Sequence, residues 1–439
     1  MPELTESQAR ELLDRALKMS KAEACEINIG GNAGGNIRYA RNTVSTAGAT
    51  EDLTFVAQSF YGQRNGTATA NQFDDATIER TVRASEELAK LAPEDPESMS
   101  PLTPQPYTRV PAAYDDATAK ITPEYRAEVA EASIRPAKEK GCVAAGFLQD
   151  NSSWQAMANT TGLFAYHRQT GVNFSVTMRT EDATGSGYAE RDENAVARFD
   201  GPGASVIAAE KAAAAREAKA IEPGKYTVIL EPSAAIGLLQ PLVFGLGARQ
   251  ADEGRSAMAK AGGGTKLGEK VLDESVTIWS DPSHPDVPTA PWAGDGRPFE
   301  KTTWIERGVV KQFFYTRYWA SKQGVPATPF PPNYIMDGGS ASLEDLIRDT
   351  SRGVLVTRLW YIRFVDPQTL LLTGLTRDGT FYIENGKIKH AIKNFRFNES
   401  PIIMLNNVDA LGKPVRNNGN LVPPMRVRDF TFTSLSDAV

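Results

Sequence analysis

Residues 222–250 place the strongest constraint on how this chain folds. Glu222-Pro223-Gly224 breaks the backbone, Lys225–Leu230 reads as a β-strand, and an apolar helix follows over 232–250. Between Pro232 and Gln250 that helix carries no His and no Glu. Its most apolar part, Ala234–Ala248, contains Gln240 and Pro241. It is shorter than the roughly 20 residues a membrane-spanning helix needs. The N-terminus, MPELTESQARELL, has no basic region followed by an apolar core, so it does not read as a secretory signal. The expectation is a cytoplasmic protein with no membrane segment.

Upstream, helix and strand signals alternate. Ala9, Leu12, Leu13, Ala16 and Leu17 follow the spacing of one buried helix face, and Thr5 and Gln8 have the spacing of a capping box. Strand-like segments follow at Glu26–Ile29, Ile37–Ala40 and Leu53–Tyr61, with Asn65-Gly66 suited to a tight hairpin turn. A helix is expected over Asp75–Leu91, with Ile78, Val82 and Ala89 inward. Six prolines between Pro93 and Pro111 remove backbone donors and favour an extended linker or an edge-hugging connection. Thr122-Pro123 opens a third helix that ends near Gly141, with Pro136 expected to bend it. Residues 142–200 read as β-rich, with Val172–Met178 alternating, and the alanine-rich run 204–220 as helix.

The C-terminal half changes character. It holds five of the six tryptophans, and long helices become rare after residue 250. Residues 281–298 form a proline- and glycine-rich loop. Residues 377–391 read as a hairpin turning at Asn385-Gly386, with Ile383 facing Ile388 and Phe381 facing His390. Met425–Thr433 alternates as a last strand. The fold class expected is α+β: an N-terminal α/β domain with a mixed sheet and helices at 1–92, a Pro-rich linker at 93–112, a middle α/β domain at 113–222, and a large β-rich C-terminal domain at 223–439. With 41% hydrophobic residues the 439-residue chain can build ordinary packed cores. A net charge of −6 and no basic stripe argue against nucleic acid as a ligand. Cys25 and Cys142, the only cysteines, fit a reduced compartment rather than a disulfide framework.

Several segments, taken in order, resemble the TldD/PmbA proteins, also called modulators of DNA gyrase. They are 37–91, with Arg41-Asn42 on a short strand and Asp75 before a helix; 167–189 (HRQTGVNFSVTMRTEDATGSGYA); 222–232 (EPGKYTVILEP); and 376–388 (TRDGTFYIENGKI). Together they span nearly the whole chain. The resemblance implies a C-terminal domain of TldD/PmbA type and two related subunits paired around an enclosed cavity. In catalytic members the helix at 232–250 carries a zinc-binding HExxxH motif. The nearest register here places Gln240 at the first His, Pro241 at the Glu and Gly245 at the second His. In such pairs TldD carries the zinc, whereas TldE (PmbA) shares the fold and lacks the ligands. The pair degrades unfolded peptides and trims leader or antitoxin peptides.

A zinc protease needs about three protein ligands, an open position for water and a nearby carboxylate. The chain has three histidines, His167, His284 and His390, and no two lie within a helical turn. Family catalysts also use a cysteine near the C-terminus, whereas the last one here is Cys142. Pro241 is expected to disturb the helix further. The reading is a TldE-like subunit with no catalytic residue, no metal ligand and no cofactor of its own. Zinc is expected in a TldD-like protein partner and peptides are the substrates. The alternatives are a homodimeric peptide-binding protein without hydrolysis and a metal-independent hydrolase.

Other residues with chemical potential are read as structural. His390 is expected to pack on the hairpin face, His284 to lie solvated between two aspartates, and His167 to pack in a strand. Gly262-Gly263-Gly264-Thr265-Lys266 lacks the phosphate-loop spacing and reads as a mobile loop. Glu231, Asp252 and Glu253 lie near the degenerate motif, but no G-x-S-x-G pattern or Ser/His cluster accompanies them.

Overall fold

A computed structural model describes residues 3–436. It opens with α1 (Glu6–Met19), capped by the Thr5–Gln8 box and buried along Ala9, Leu12, Leu13 and Ala16. Then come β1 (Ala24–Ala40), β2 (Thr43–Tyr61), β3 (Arg64–Ala70) and α2 (Asp75–Leu91). After the proline-rich segment follow α3 (Pro123–Glu139), β4 (Cys142–Asn159), β5 (Phe164–Thr180), β6 (Ser186–Glu193) and α4 (Gly201–Ala214).

These six strands form one sheet in the order β3-β2-β1-β4-β5-β6. Residues 1–92 and 113–222 therefore contribute to the same sheet, joined where β1 pairs with β4. The mixed sheet expected here is antiparallel throughout, because long hairpins or antiparallel returns connect every neighbouring pair. The two short strands expected at 26–29 and 37–40 are one strand. Its glycine-rich middle has few side chains to pack, yet ladders to β2 and β4 hold it on both sides.

Asn65-Gly66 is not the hairpin turn. The turn is Gly62-Gln63, with Gly62 at φ 57, and Gly66 lies within β3 opposite Ser59. Gly66 serves helix packing: a Cβ there would sit 2.2 Å from Ala89 N and 2.5 Å from Ser85 O of α2. Helix α4 uses the same device on β6. Its Ala204, Ala208 and Ala212 are buried, and a Cβ on Gly187 would fall 2.2 Å from Ala208 O.

The second half begins with β7 (Lys225–Leu230), α5 (Pro232–Phe244) and α6 (Ala248–Asp252). Four short strands, β8 (Ile278–Ser280), β9 (Thr302–Glu306), β10 (Val309–Val310) and β11 (Ile335–Met336), flank α7 (Arg317–Gln323). After α8 (Leu343–Arg348) come β12 (Arg352–Asp366), β13 (Leu371–Glu384), β14 (Lys387–Ala391), β15 (Phe395–Glu399) and α9 (Pro401–Asn406). The chain closes with β16 (Val408–Leu411), β17 (Val415–Asn417), β18 (Asn420–Val422) and β19 (Met425–Leu435).

Pairing runs β12-β7-β19-β15-β13, and β13 returns to β12, so five strands close into a barrel. Closure removes the unpaired edges an open sheet would carry. The β7–β12 pair is parallel, which makes this a mixed sheet. Aromatic and branched side chains fill the core: Phe395 stacks on Phe432 at 4.5 Å, and Phe397, Phe430, Val228 and Val356 pack in the same cluster. The short strands form a second sheet ordered β10-β9-β8-β11-β18-β17.

The proline-rich segment is not a free tether. Leu102 and Tyr107 pack with Met157, Leu163, Ala165 and Trp292, and Tyr107 donates to Gly296 O at 2.5 Å. It straps the N-terminal sheet to the 281–298 loop. Cys25 and Cys142 are buried and unpaired by disulfide. Among the described residues no helix is long and apolar enough to cross a membrane.

Candidate functional site

The strand–helix unit at 225–250 leaves the barrel and turns back over it. Pro232 occupies the first helical turn, where its missing N–H costs nothing. Ala234, Ala235, Leu238, Leu239 and Leu242 point into the barrel cluster. Each leucine contributes on the order of 2 kcal/mol by burial. The helix expected over 232–250 is two helices. Gly245 and Gly247 lie between them, and a Cβ on Gly247 would meet the Gln250 side chain and the Phe314 ring.

Pro241 does not break α5, contrary to expectation. The residue four positions earlier, whose carbonyl a proline ring crowds, is Gly237. Bonding resumes in the next turn, where Gly245 N donates to Pro241 O at 3.0 Å. Gln240 and Phe244 lie on the outer face. Phe244 is 55% exposed and stacks on Phe330 at 4.9 Å.

This register does not fit a zinc ion. Gln240 presents a neutral amide, Pro241 has no donor atom, and Gly245 has no side chain. Among the described residues, no group of three or more His, Cys, Asp or Glu side chains could hold a metal ion.

The acids nearest the helix are held by other partners. Glu231 pairs with Lys211 of α4 at 2.6 Å and accepts from Thr357 Oγ1 of β12 at 3.1 Å. Asp252 accepts from Trp319 Nε1 at 2.7 Å. Glu253 is paired with Arg249 and Arg255, which hold its carboxyl below the usual range. Each of the three carboxylates is thus engaged by a partner of its own.

The histidines are dispersed. The His284 ring meets Trp279 edge-on at 5.6 Å, and its Nδ1 accepts from Asp286 N. His390 does not face Phe381. An extra residue, Lys389, bulges from β14, so His390 pairs with Tyr382 and stacks on it at 5.4 Å, while Phe381 pairs with Ala391. Ile383 does face Ile388 across the Asn385-Gly386 turn. His167 is buried, and desolvation lowers its pKa to about 4. In the 262–266 loop all three glycines have positive φ, and Lys266 Nζ is spent on Ala257 O at 2.8 Å.

A polar joint escaped the sequence reading. One face of β6, with Ser186, Tyr188, Glu190 and Asp192, docks on the barrel side of the molecule. Ser186 Oγ donates to Asp378, which also pairs with Arg358 at 2.6 Å. Arg358 lies 3.9 Å over the Tyr188 ring, and Tyr188 donates to Glu190 at 2.7 Å. Burial and Glu190 both push the Tyr188 hydroxyl pKa up. Asn417 Nδ2 bridges Glu190 at 2.7 Å and Ser233 of α5 at 3.2 Å, while Arg416 pairs with Asp192 at 2.8 Å. The available signal was polarity at every second position from 186 to 192, the mark of one sheet face meeting polar partners.

An antiparallel N-terminal sheet with helices, joined to a closed five-stranded barrel carrying a strand–helix unit, defines an α+β protein without metal-binding side chains on that helix. Residues 223–434 match the PmbA/TldA metallopeptidase C-terminal domain, and residues 115–220 match the central domain of the same proteins. The chain belongs to the PmbA/TldD metallopeptidase family.

It is 22% identical to the metalloprotease PmbA of Escherichia coli O157:H7 over 95% of this chain and 96% of that protein. A local match to a metalloprotease of Archaeoglobus fulgidus is 28% identical over 33% of this chain and 36% of the other. The crystal structure of TldE from Thermococcus kodakarensis superposes with a TM-score of 0.87, covering 97% of this chain and 100% of that one. At 20% identity that likeness is one of fold.

Proposed function

We propose that this chain is the non-catalytic, TldE/PmbA-like subunit of a two-chain zinc protease acting on unfolded, leader or antitoxin peptides. The observation that carries this reading is the retention of β7 and α5 with no metal donor at Gln240, Pro241 or Gly245. A helix kept in place after its ligands are gone serves packing and assembly. The catalytic zinc and its HExxxH helix belong to a related partner chain, and this subunit completes the cavity in which peptides are cut. The fold likeness to TldE and the full-length relationship to PmbA support the assignment.

The test is co-expression with an HExxxH-bearing relative, followed by native mass measurement, zinc analysis and peptide digestion. The expected result is a one-to-one complex with a single zinc and peptidase activity that neither chain shows alone. A purified chain that binds stoichiometric zinc and cleaves peptides unaided overturns the proposal. An inactive homodimer that ignores the partner replaces it with a binding module.

A further inference from the structure

Strand β5 pairs with β4 over nearly its whole length, but β6 covers it only from Val172 to Arg179. On that second side its first residues, 164–171, have no strand neighbour among the described residues. Phe164, Ala165, Tyr166, His167 and Arg168 all line one cavity of about 770 Å³. Side chains of a strand alternate between its two faces, so five consecutive residues share a cavity only along the strand's edge. The opposite wall is the proline-rich strap, with Tyr107, Thr108 and Arg109, which is itself not a strand.

The walls are aromatic and their charges are compensated. Arg10 covers Phe164 at 3.6 Å and Arg168 covers Tyr114 at 3.7 Å. Arg109 pairs with Glu6, and Arg168 with Glu3. Such walls offer no excess cation to an anionic ligand. One further polar group is unsatisfied: His167 is 6% exposed, lines the cavity, and its Nε2 has no hydrogen-bond partner among the described residues. That atom is closed off from solvent, so what the slot offers a ligand is the strand edge itself.

We propose that this slot binds an extended peptide segment as an added strand along Phe164–Arg168. The peptide main chain bonds to the free edge of β5. Main-chain pairing gives affinity with little sequence preference, and the aromatic walls accept alternate side chains. The slot spans roughly five residues, or about 17 Å of strand. The proposal does not depend on a partner subunit, because every group it uses lies in this chain.

The probe is a fluorescein-labelled hexapeptide of alternating valine and threonine with blocked termini, titrated into the full chain alone. Its counterpart is N-methylated at alternate amides and cannot form a ladder. Binding is expected to fall at least tenfold for the methylated peptide. It is expected to fall similarly for Thr108→Trp, which fills the slot from the exposed strap and leaves the thermal midpoint unchanged. Hydrogen exchange should slow at 164–168 and not at 43–52, the stretch of β2 beyond its pairing with β3. No binding, equal binding of the methylated peptide, or protection confined to 43–52 overturns the proposal. None of these outcomes bears on assembly with an HExxxH-bearing chain, which the co-expression experiment reads separately.

Discussion

Lys211 Nζ lies 2.6 Å from Glu231 Oε2, joining the alanine-rich helix α4 to the residue that opens α5. Both side chains are largely buried, at 15% and 13% exposure. Thr357 of β12 supplies a further hydrogen bond to Glu231, so three elements meet at one carboxylate. Removing one partner strands the other charge in a poorly solvated place, whereas replacing both by apolar groups does not. We expect Lys211→Met to lower the unfolding free energy by about 3 kcal/mol, and Lys211→Met with Glu231→Leu to recover most of it. Urea denaturation of the three variants checks this. A double variant as unstable as the single one would show that the contact matters through geometry rather than charge.

Gly66 gives a second expectation. Its Cβ would collide with the α2 backbone, whereas Gly62 in the true turn has open space around it and a φ of 57. Gly66→Ala should cost about 1–3 kcal/mol by overpacking. Gly62→Ala should cost roughly 1 kcal/mol through the left-handed backbone alone. Thermal midpoints of the two variants decide the order, and a Gly62→Ala variant that melts lower than Gly66→Ala reverses the account.

The same glycine shows where the sequence was legible. Periodicity and caps located α1, α2 and α3 because those signals are local: Thr5 with Gln8, the spacing of Ile78, Val82 and Ala89, and Thr122 with Pro123. Asn65-Gly66 looks like a turn by the same local rules, yet its glycine answers to backbone atoms of Ser85 and Ala89, 19 and 23 residues on. The single long β1 was illegible for a similar reason, since the ladders that hold Gly30–Gly35 come from β2 and β4. At the candidate site, the absence of donors at 240, 241 and 245 could be read directly. The β6 joint could not, because Glu190 and Asn417 are 227 residues apart and only the fold brings them together.

His167 ties stability to pH. Burial lowers its folded pKa to about 4, from an unfolded value near 6.5. Between these values the unfolded chain binds the proton more readily, so stability falls as pH drops from 6.5 towards 4 and this contribution then levels off. The size is about 3 kcal/mol at most, from 1.36 kcal/mol per pH unit. Glu26 and Glu399 act in the opposite sense, because burial raises their pKa values and makes the folded state the better proton binder. The measurement is therefore a difference: the unfolding free energy of the native chain minus that of His167→Phe, followed from pH 7 to pH 4. It should decrease steadily across that window. A flat difference would mean that His167 is solvated rather than buried.

Phe244 provides the sharpest test of the assembly reading. It lies four residues after Gln240 on the outer face of α5, more than half exposed, and stacks only part of its ring on Phe330. An aromatic side chain in that state adds little to the stability of an isolated chain, because much of its surface is still wet. Burial against another chain would supply the missing contact, as for the aromatic anchors of protein interfaces. Phe244→Ser should therefore leave the thermal midpoint of the isolated chain within a few degrees of the parent. It should weaken association with an HExxxH-bearing partner at least tenfold, as measured by sedimentation or mass photometry. If the midpoint drops sharply and association is unaffected, the ring is a core residue of this chain, and the outer face of α5 has no role in assembly.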